Sequence, residues 1–97
     1  MIGEIFHIEL RADEPSKNIR RFYHINVGRD LLGDLVVTLR NGRIGNFGRE
    51  KCHIVKDEEE AKKLVLESLK KRKSAPKRIG VSYEVNNLTD PHNWMEY

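Results

Sequence analysis

The chain has 97 residues, of which 38% are hydrophobic and 34% charged, with a formal net charge of +3. Its length allows one domain with one modest core, and it has no run of ~20 apolar residues that could span a membrane. The N-terminal stretch MIGEIFHIEL lacks the basic lead-in of a signal peptide and the single cysteine excludes an internal disulfide, so we expect a cytoplasmic protein.

Four segments in the first half of the chain have the composition of β-strands. Residues 2–10, IGEIFHIEL, are followed by a loop with Pro15 and then by residues 19–27, IRRFYHINV, in which apolar residues recur at every second position. Residues 35–40, LVVTLR, are rich in β-branched side chains, and the short link GRDLLGD before them predicts a hairpin. Residues 49–56, REKCHIVK, predict a fourth strand after the glycine-rich turn IGNFG.

The hydrophobic period then changes to that of a helix over residues 57–73, DEEEAKKLVLESLKKRK. Residues at i, i+3, i+4, i+7 and i+8 form one face, namely Ala61, Leu64, Val65, Ser68 and Leu69. Asp57 and Glu60 have the spacing of a capping box, with acids in the first turn and bases in the last. Residues 78–85, RIGVSYEV, predict a fifth strand. The pattern predicts an α+β fold: a mostly antiparallel sheet of about five strands with one helix packed on one face.

The C-terminal segment has a different composition from the rest. Residues 86–97, NNLTDPHNWMEY, contain no Lys or Arg, and we expect them to form a tail beyond a single domain of residues 1–85. Because the helix and the sheet would be complete by Val85, deletion of the tail should leave the domain folded. In the alternative interpretation, Trp94 fills a groove on the sheet face and belongs to the core.

The positive charge is concentrated around the glycine-rich turn. Residues 1–30 and 57–97 each have equal numbers of acidic and basic side chains, whereas residues 31–56 have five basic and two acidic ones. The basic residues of this segment are Arg40, Arg43, Arg49, Lys51 and Lys56. Residues 70–78, KKRKSAPKR, form a second basic cluster, which is typical of a helix C-terminus and less often a ligand site. Two local basic patches favour a negatively charged partner such as nucleic acid.

The segment from RRFYHINV to RIGVSY resembles the WGR domain, which occurs in DNA-damage-dependent poly(ADP-ribose) polymerases and in short bacterial proteins. The resemblance covers residues from about 20 to about 85. It rests on FY at 22–23, DLLGDLVV at 30–37, NGRIGNFG at 41–48, the helix, and GVSY at 80–83. It implies a sheet of about five strands with one packed helix, and a small non-catalytic module that binds nucleic acid, with DNA as the expected partner, through the basic glycine-rich hairpin. The expected site residues are Arg40, Asn41, Gly42, Arg43, Arg49 and Lys51.

The sequence departs from the family pattern at the tryptophan that gives the family its name, which is Asn41 here. In the polymerases that tryptophan stacks on the sugar at a DNA strand end, and an asparagine has no ring to stack. Asn41 can hydrogen-bond to a phosphate, a sugar hydroxyl or the turn itself. Asn41 and Arg43 share strand parity with Val37 and Leu39, so they should emerge beyond the helix-covered end of the sheet. The alternative function is a protein-interaction or regulatory module that has lost DNA-end recognition.

The sequence offers no catalytic set of nucleophile, base and orienting residue, so we expect a protein that is not an enzyme and needs no cofactor. None of the four histidines is spaced from another, or from Cys52, as in a zinc motif, and we expect no metal site. Arg43 can equally contact a ligand or brace the hairpin. The sequence does not distinguish DNA from RNA as the partner, and it does not indicate the oligomeric state.

Overall fold

The computed structural model describes residues 3–74, 77 and 80–95. Over these residues the chain forms five β-strands, one α-helix and a short 3₁₀ turn at Pro15–Lys17. The strands are β1 (Gly3–Glu14), β2 (Ile19–Arg29), β3 (Leu35–Arg43), β4 (Arg49–Val55) and β5 (Glu84–Thr89), and the helix is α1 (Glu58–Lys73). The α+β class, the antiparallel sheet and the single packed helix are confirmed.

The five strands form one sheet in the order β4-β3-β2-β1-β5, and every neighbouring pair is antiparallel. Consecutive hairpins build β1 to β4, and the chain then passes through α1 before β5 joins the outer edge of β1. Ile8 pairs with Ile25, Ile25 with Leu39, and Leu39 with Lys51. Because paired residues lie on the same face of a sheet, this register determines which side chains face α1.

The core lies between α1 and one face of the sheet. Its strand residues recur at every second position, as a half-buried sheet requires, and its helix residues recur at helical spacing. They include Phe6, Ile8, Leu10, Tyr23, Ile25, Val27, Leu35 and Val37 from the sheet and Ala61, Val65 and Leu69 from α1. The Asp57 side chain accepts a hydrogen bond from the Glu60 backbone N–H at 2.9 Å, which confirms the expected N-cap.

The C-terminal segment contributes to the sheet and to the core, in contrast to the expected tail. The fifth strand begins at Glu84 and continues to Thr89, whereas Gly80–Tyr83 are not in a strand and residues 78–79 lie outside the described residues. Trp94 is only 5% exposed and stacks on Phe6 with 5.4 Å between ring centroids. Of the two interpretations of Trp94, the structure therefore supports the one that assigns it to the core.

Within the described part of the chain, no helix combines the length and the apolar character needed to cross a bilayer.

Candidate nucleic-acid interface

The glycine-rich turn, residues 44–48, owes its shape to a close approach of two backbone segments. Gly48 has a φ of +80°, and a Cβ there would collide with the carbonyl oxygen of Asn41 and with the Phe22 ring. A Cβ on Gly42 would lie 2.7 Å from the Cα of Gly48. The Ile44 backbone N–H donates to the Arg20 carbonyl oxygen at 2.9 Å, which ties the turn to β2. These glycines are therefore required by the close approach of the two backbone segments.

Arg40 lies on the face of the sheet that points away from α1. Its guanidinium carbon is 4.6 Å from the centroid of the Phe47 ring and 5.1 Å from that of Phe22, close enough for a cation–π contact with both rings. The guanidinium also donates to the Phe47 carbonyl oxygen at 3.2 Å and to His24 Nδ1 at 3.0 Å. Arg40 thus contacts the turn from the face away from α1, and the sheet lies between it and the side chains of the other expected site residues.

Asn41 and Arg43 lie on the α1 side of the sheet, beyond the covered core. Asn41 pairs with Tyr23 on β2 and with Arg49 on β4, so the side chains of these residues share that face. Lys51 pairs with Leu39 and extends the same basic row along β4. Arg43 is exposed and donates from Nη2 to the Asn18 side-chain oxygen at 2.9 Å. Asn41, Arg43, Arg49 and Lys51 are therefore brought together on one surface.

Two further arginines join this surface although the sequence analysis did not include them in the site. Arg21 pairs with Arg43 across β2 and β3, which places both on the α1 side. Arg72 comes from the last turn of α1, and its guanidinium carbon is 4.1 Å from the centroid of the Tyr23 ring. Arg72 follows the buried residues Leu69 and Ser68 by three and four positions, which places it on the same face of the helix. The helical spacing in the sequence could therefore have indicated that Arg72 faces the sheet.

Four residues of this surface, Arg21, Asn41, Arg43 and Arg72, line a polar cleft of about 280 Å³, here called the arginine cleft, whereas Arg49 and Lys51 lie outside its lining. Its lining comprises Asn18, Ile19, Arg20, Arg21, Phe22, Asn41, Gly42, Arg43, Arg72 and Tyr83. The lining contains four arginines and no carboxylate, although Arg20 forms an ion pair with Asp13 at 3.3 Å. A concentration of guanidinium groups favours an anion, and the planar fork of each arginine matches the oxygens of a phosphate.

The opposite face of the sheet has a hydrogen-bonded network of charged and polar side chains. His7 Nε2 and Glu9 Oε2 are 2.7 Å apart, and His24 Nε2 lies 3.9 Å from Glu9 Oε1. The hydrogen bond from His7 lowers the pKa of Glu9, whereas burial lowers the pKa of His24. Among the residues that the structure describes, no three His, Cys, Asp or Glu side chains are arranged to hold a metal ion.

Comparison with known proteins gives one family and one relative. The family model of the WGR domain matches residues 6–77. Over 73 residues the chain is 30% identical to the "Uncharacterized protein y4dW" of Sinorhizobium fredii, an alignment that covers 75% of the chain and 36% of that protein. The chain thus spans about a third of the length of this relative. No solved structure matches the chain significantly.

Proposed function

Because the chain belongs to the WGR domain family, a family of nucleic-acid-binding modules, we propose that it binds DNA through the arginine cleft and does so without catalysis. The observation that carries this proposal is the convergence of Arg21, Arg43 and Arg72 from two strands and the helix on one cleft without carboxylates. Guanidinium groups placed in this way neutralise consecutive phosphates and release the counterions that surround them.

The expected site residues take two different roles in this proposal. Arg43, Arg49 and Lys51 contact the phosphate backbone, and Asn41 hydrogen-bonds to a phosphate or a sugar. Arg40 and Gly42 instead give the turn its shape, Arg40 through Phe47 and Gly42 through its backbone contact with Gly48. Since Asn41 has no ring to stack on a terminal sugar, contacts to the phosphate backbone supply most of the affinity.

A salt titration tests the proposal directly. With about four phosphate contacts, the slope of log K against log salt concentration for duplex DNA should be about −3 to −4. Blunt, nicked and single-stranded DNA of equal length are compared by fluorescence anisotropy. Absence of binding at low salt, or a slope near zero, would contradict the proposal.

Charge-reversal variants distinguish binding through this surface from a general effect of the protein's net charge. We expect the double variant Arg43→Glu, Arg49→Glu to lose DNA binding with little change in melting temperature, because both side chains are exposed. The matched control reverses Arg29 and Lys56, two exposed residues at the opposite end of the sheet, where Arg29 pairs with Leu35 and Lys56 follows β4. Equal losses in the two double variants would show that only net charge matters.

A protein-interaction module is the second candidate function, and the β2–β3 turn favours it. Leu31 and Leu32 are 82% and 88% exposed. Asp30 Oδ1 accepts hydrogen bonds from the backbone N–H groups of Leu32 and Asp34 at 3.0 and 2.9 Å, which fix the conformation in which the turn presents the leucines. Exposed apolar side chains next to each other favour a contact with another protein. A photo-crosslinking amino acid at position 32, compared with one at Ile54, tests for a defined protein adduct in cells.

A further inference from the structure

A second cleft adjoins the arginine cleft, and most of the side chains that line it are apolar. This apolar groove, of about 290 Å³, lies between the C-terminal end of α1 and the start of β5. Ile8 and Leu10 of β1 are buried at its base, while Leu69, Val85 and Met95 contribute further apolar surface. Val85 is 58% exposed on an edge strand, so part of this apolar surface faces solvent.

The two clefts lie side by side, because Arg72 and Tyr83 line both of them. Arg72 packs over the Tyr23 ring between the two clefts, and Tyr83 is half-buried beside it. A ligand in the arginine cleft can therefore reach the apolar groove by passing over Arg72 and Tyr83.

We propose that the apolar groove accepts an unpaired nucleobase of the strand whose phosphates lie in the arginine cleft. This inference rests on the proposed function and specifies its substrate class as DNA with a single-stranded segment. A nucleotide joins a charged phosphate to a flat base with largely apolar faces, which matches a charged cleft beside an apolar one. The faces of unpaired bases stack on aromatic side chains and on guanidinium groups, and Tyr83 and Arg72 offer one of each.

The exposed Asn41 supports this assignment. Position 41 has no ring, so a base or sugar cannot stack there, and the flat apolar surface beside the arginines is at Tyr83 and the groove. A paired base would not reach the groove, because its faces are covered by its neighbours in the duplex. An apolar peptide would fill the groove but would leave the adjoining arginines without a partner, and this alternative is an outcome of the test.

The test compares three duplexes by fluorescence anisotropy: blunt, with a three-nucleotide overhang, and with the same overhang made abasic. The abasic strand retains all the phosphates and lacks only the bases. We expect the normal overhang to bind about five- to tenfold more tightly than the abasic one, which corresponds to ~1–1.4 kcal/mol. This gain should not change with salt concentration, because stacking releases no counterions.

Two variants test whether the apolar groove causes the difference in affinity between normal and abasic overhangs. Val85→Gln should abolish the difference between normal and abasic overhangs and leave blunt-duplex affinity unchanged. The matched control is Ile54→Gln, which replaces a 69% exposed side chain on the other edge strand and should retain the difference. A 2-aminopurine in the overhang of the wild-type complex gives a second readout, since its fluorescence falls when it stacks. This readout does not depend on the folding of any variant.

The outcomes distinguish the inference from the proposed function. Equal affinity for normal and abasic overhangs, with blunt DNA still bound through Arg43, would overturn the inference alone and favour an apolar peptide as the occupant of the groove. No binding to any of the three duplexes would overturn both. A preference for normal overhangs that Ile54→Gln removes as completely as Val85→Gln would show that the bases bind elsewhere.

Discussion

Truncation of Trp94 to alanine should destabilise the whole domain, because the indole belongs to the core. The side chain is 5% exposed and stacks on Phe6, which is fully buried in the middle of β1. Asp90 fixes the segment in place, since its carboxylate accepts hydrogen bonds from the backbone N–H groups of Trp94 and Met95 at 2.8 and 2.9 Å. Truncation of a buried tryptophan to alanine costs ~3–5 kcal/mol, a total that includes the loss of its ring contacts. A domain of this size has a free energy of unfolding of only about 5–15 kcal/mol.

Urea denaturation followed by far-UV circular dichroism measures this effect, because the variant lacks the only tryptophan of the chain. With an m-value of about 1–3 kcal/mol/M, the midpoint should fall by more than about 1 M. Leu88→Ala is the control, since it removes a half-exposed side chain from β5 and should shift the midpoint much less. A Trp94→Ala midpoint within about 0.3 M of the wild type would refute the assignment of this residue to the core.

Three further predictions concern the turn, the polar network and the missing ring. Gly48→Ala should lower the melting temperature far more than Gly45→Ala, because both have positive φ but only Gly48 would clash with its surroundings. Because burial lowers the pKa of His24, the folded state binds fewer protons than the unfolded state. The free energy of unfolding should therefore fall as the pH is lowered through about 6.5. Urea midpoints of His24→Gln should show a smaller fall over this pH range, and a wild type that is more stable in acid would contradict the prediction. Asn41→Trp should bind DNA ends about tenfold more tightly with little change for closed circular DNA, and equal affinity for both would exclude a strand end from this surface.

The elements with a strong period could be predicted from the sequence. The helix was found because its apolar residues recur at helical spacing and Asp57 caps it, and both features are local. The alternation of Tyr23, Ile25 and Val27 similarly predicted the core face of β2. Residues in β5 carry no such signal, since all six are exposed in the structure and two are asparagines. A strand that contributes little to the core has no alternation to detect, and its place in the sheet depends on pairing with β1.

The candidate site was only partly predictable, because a cluster of charges in the sequence does not reveal which face of a sheet each charge occupies. Arg40 and Arg43 are both close to the glycine-rich turn, yet their odd spacing places them on opposite faces. Arg21 was separated from the turn by more than twenty residues, and only the register of β2 against β3 brings it to Arg43. Arg72 lies in a basic run in which Lys70, Lys71, Lys73 and Lys77 are solvent-exposed, so the run itself did not single it out.

The side chains that hold the glycine-rich turn lie on one face of the sheet and Asn41 lies on the other, so the fold can keep its shape with different side chains at position 41. The Asn41 carbonyl oxygen lies against Gly48 and is part of the packed backbone, whereas the residue as a whole is exposed on the α1 side. The cation–π contacts that hold the turn come from Arg40, Phe22 and Phe47 on the other side of the sheet. Replacing the side chain at position 41 therefore leaves these contacts intact and changes only the exposed surface on the α1 side of the sheet.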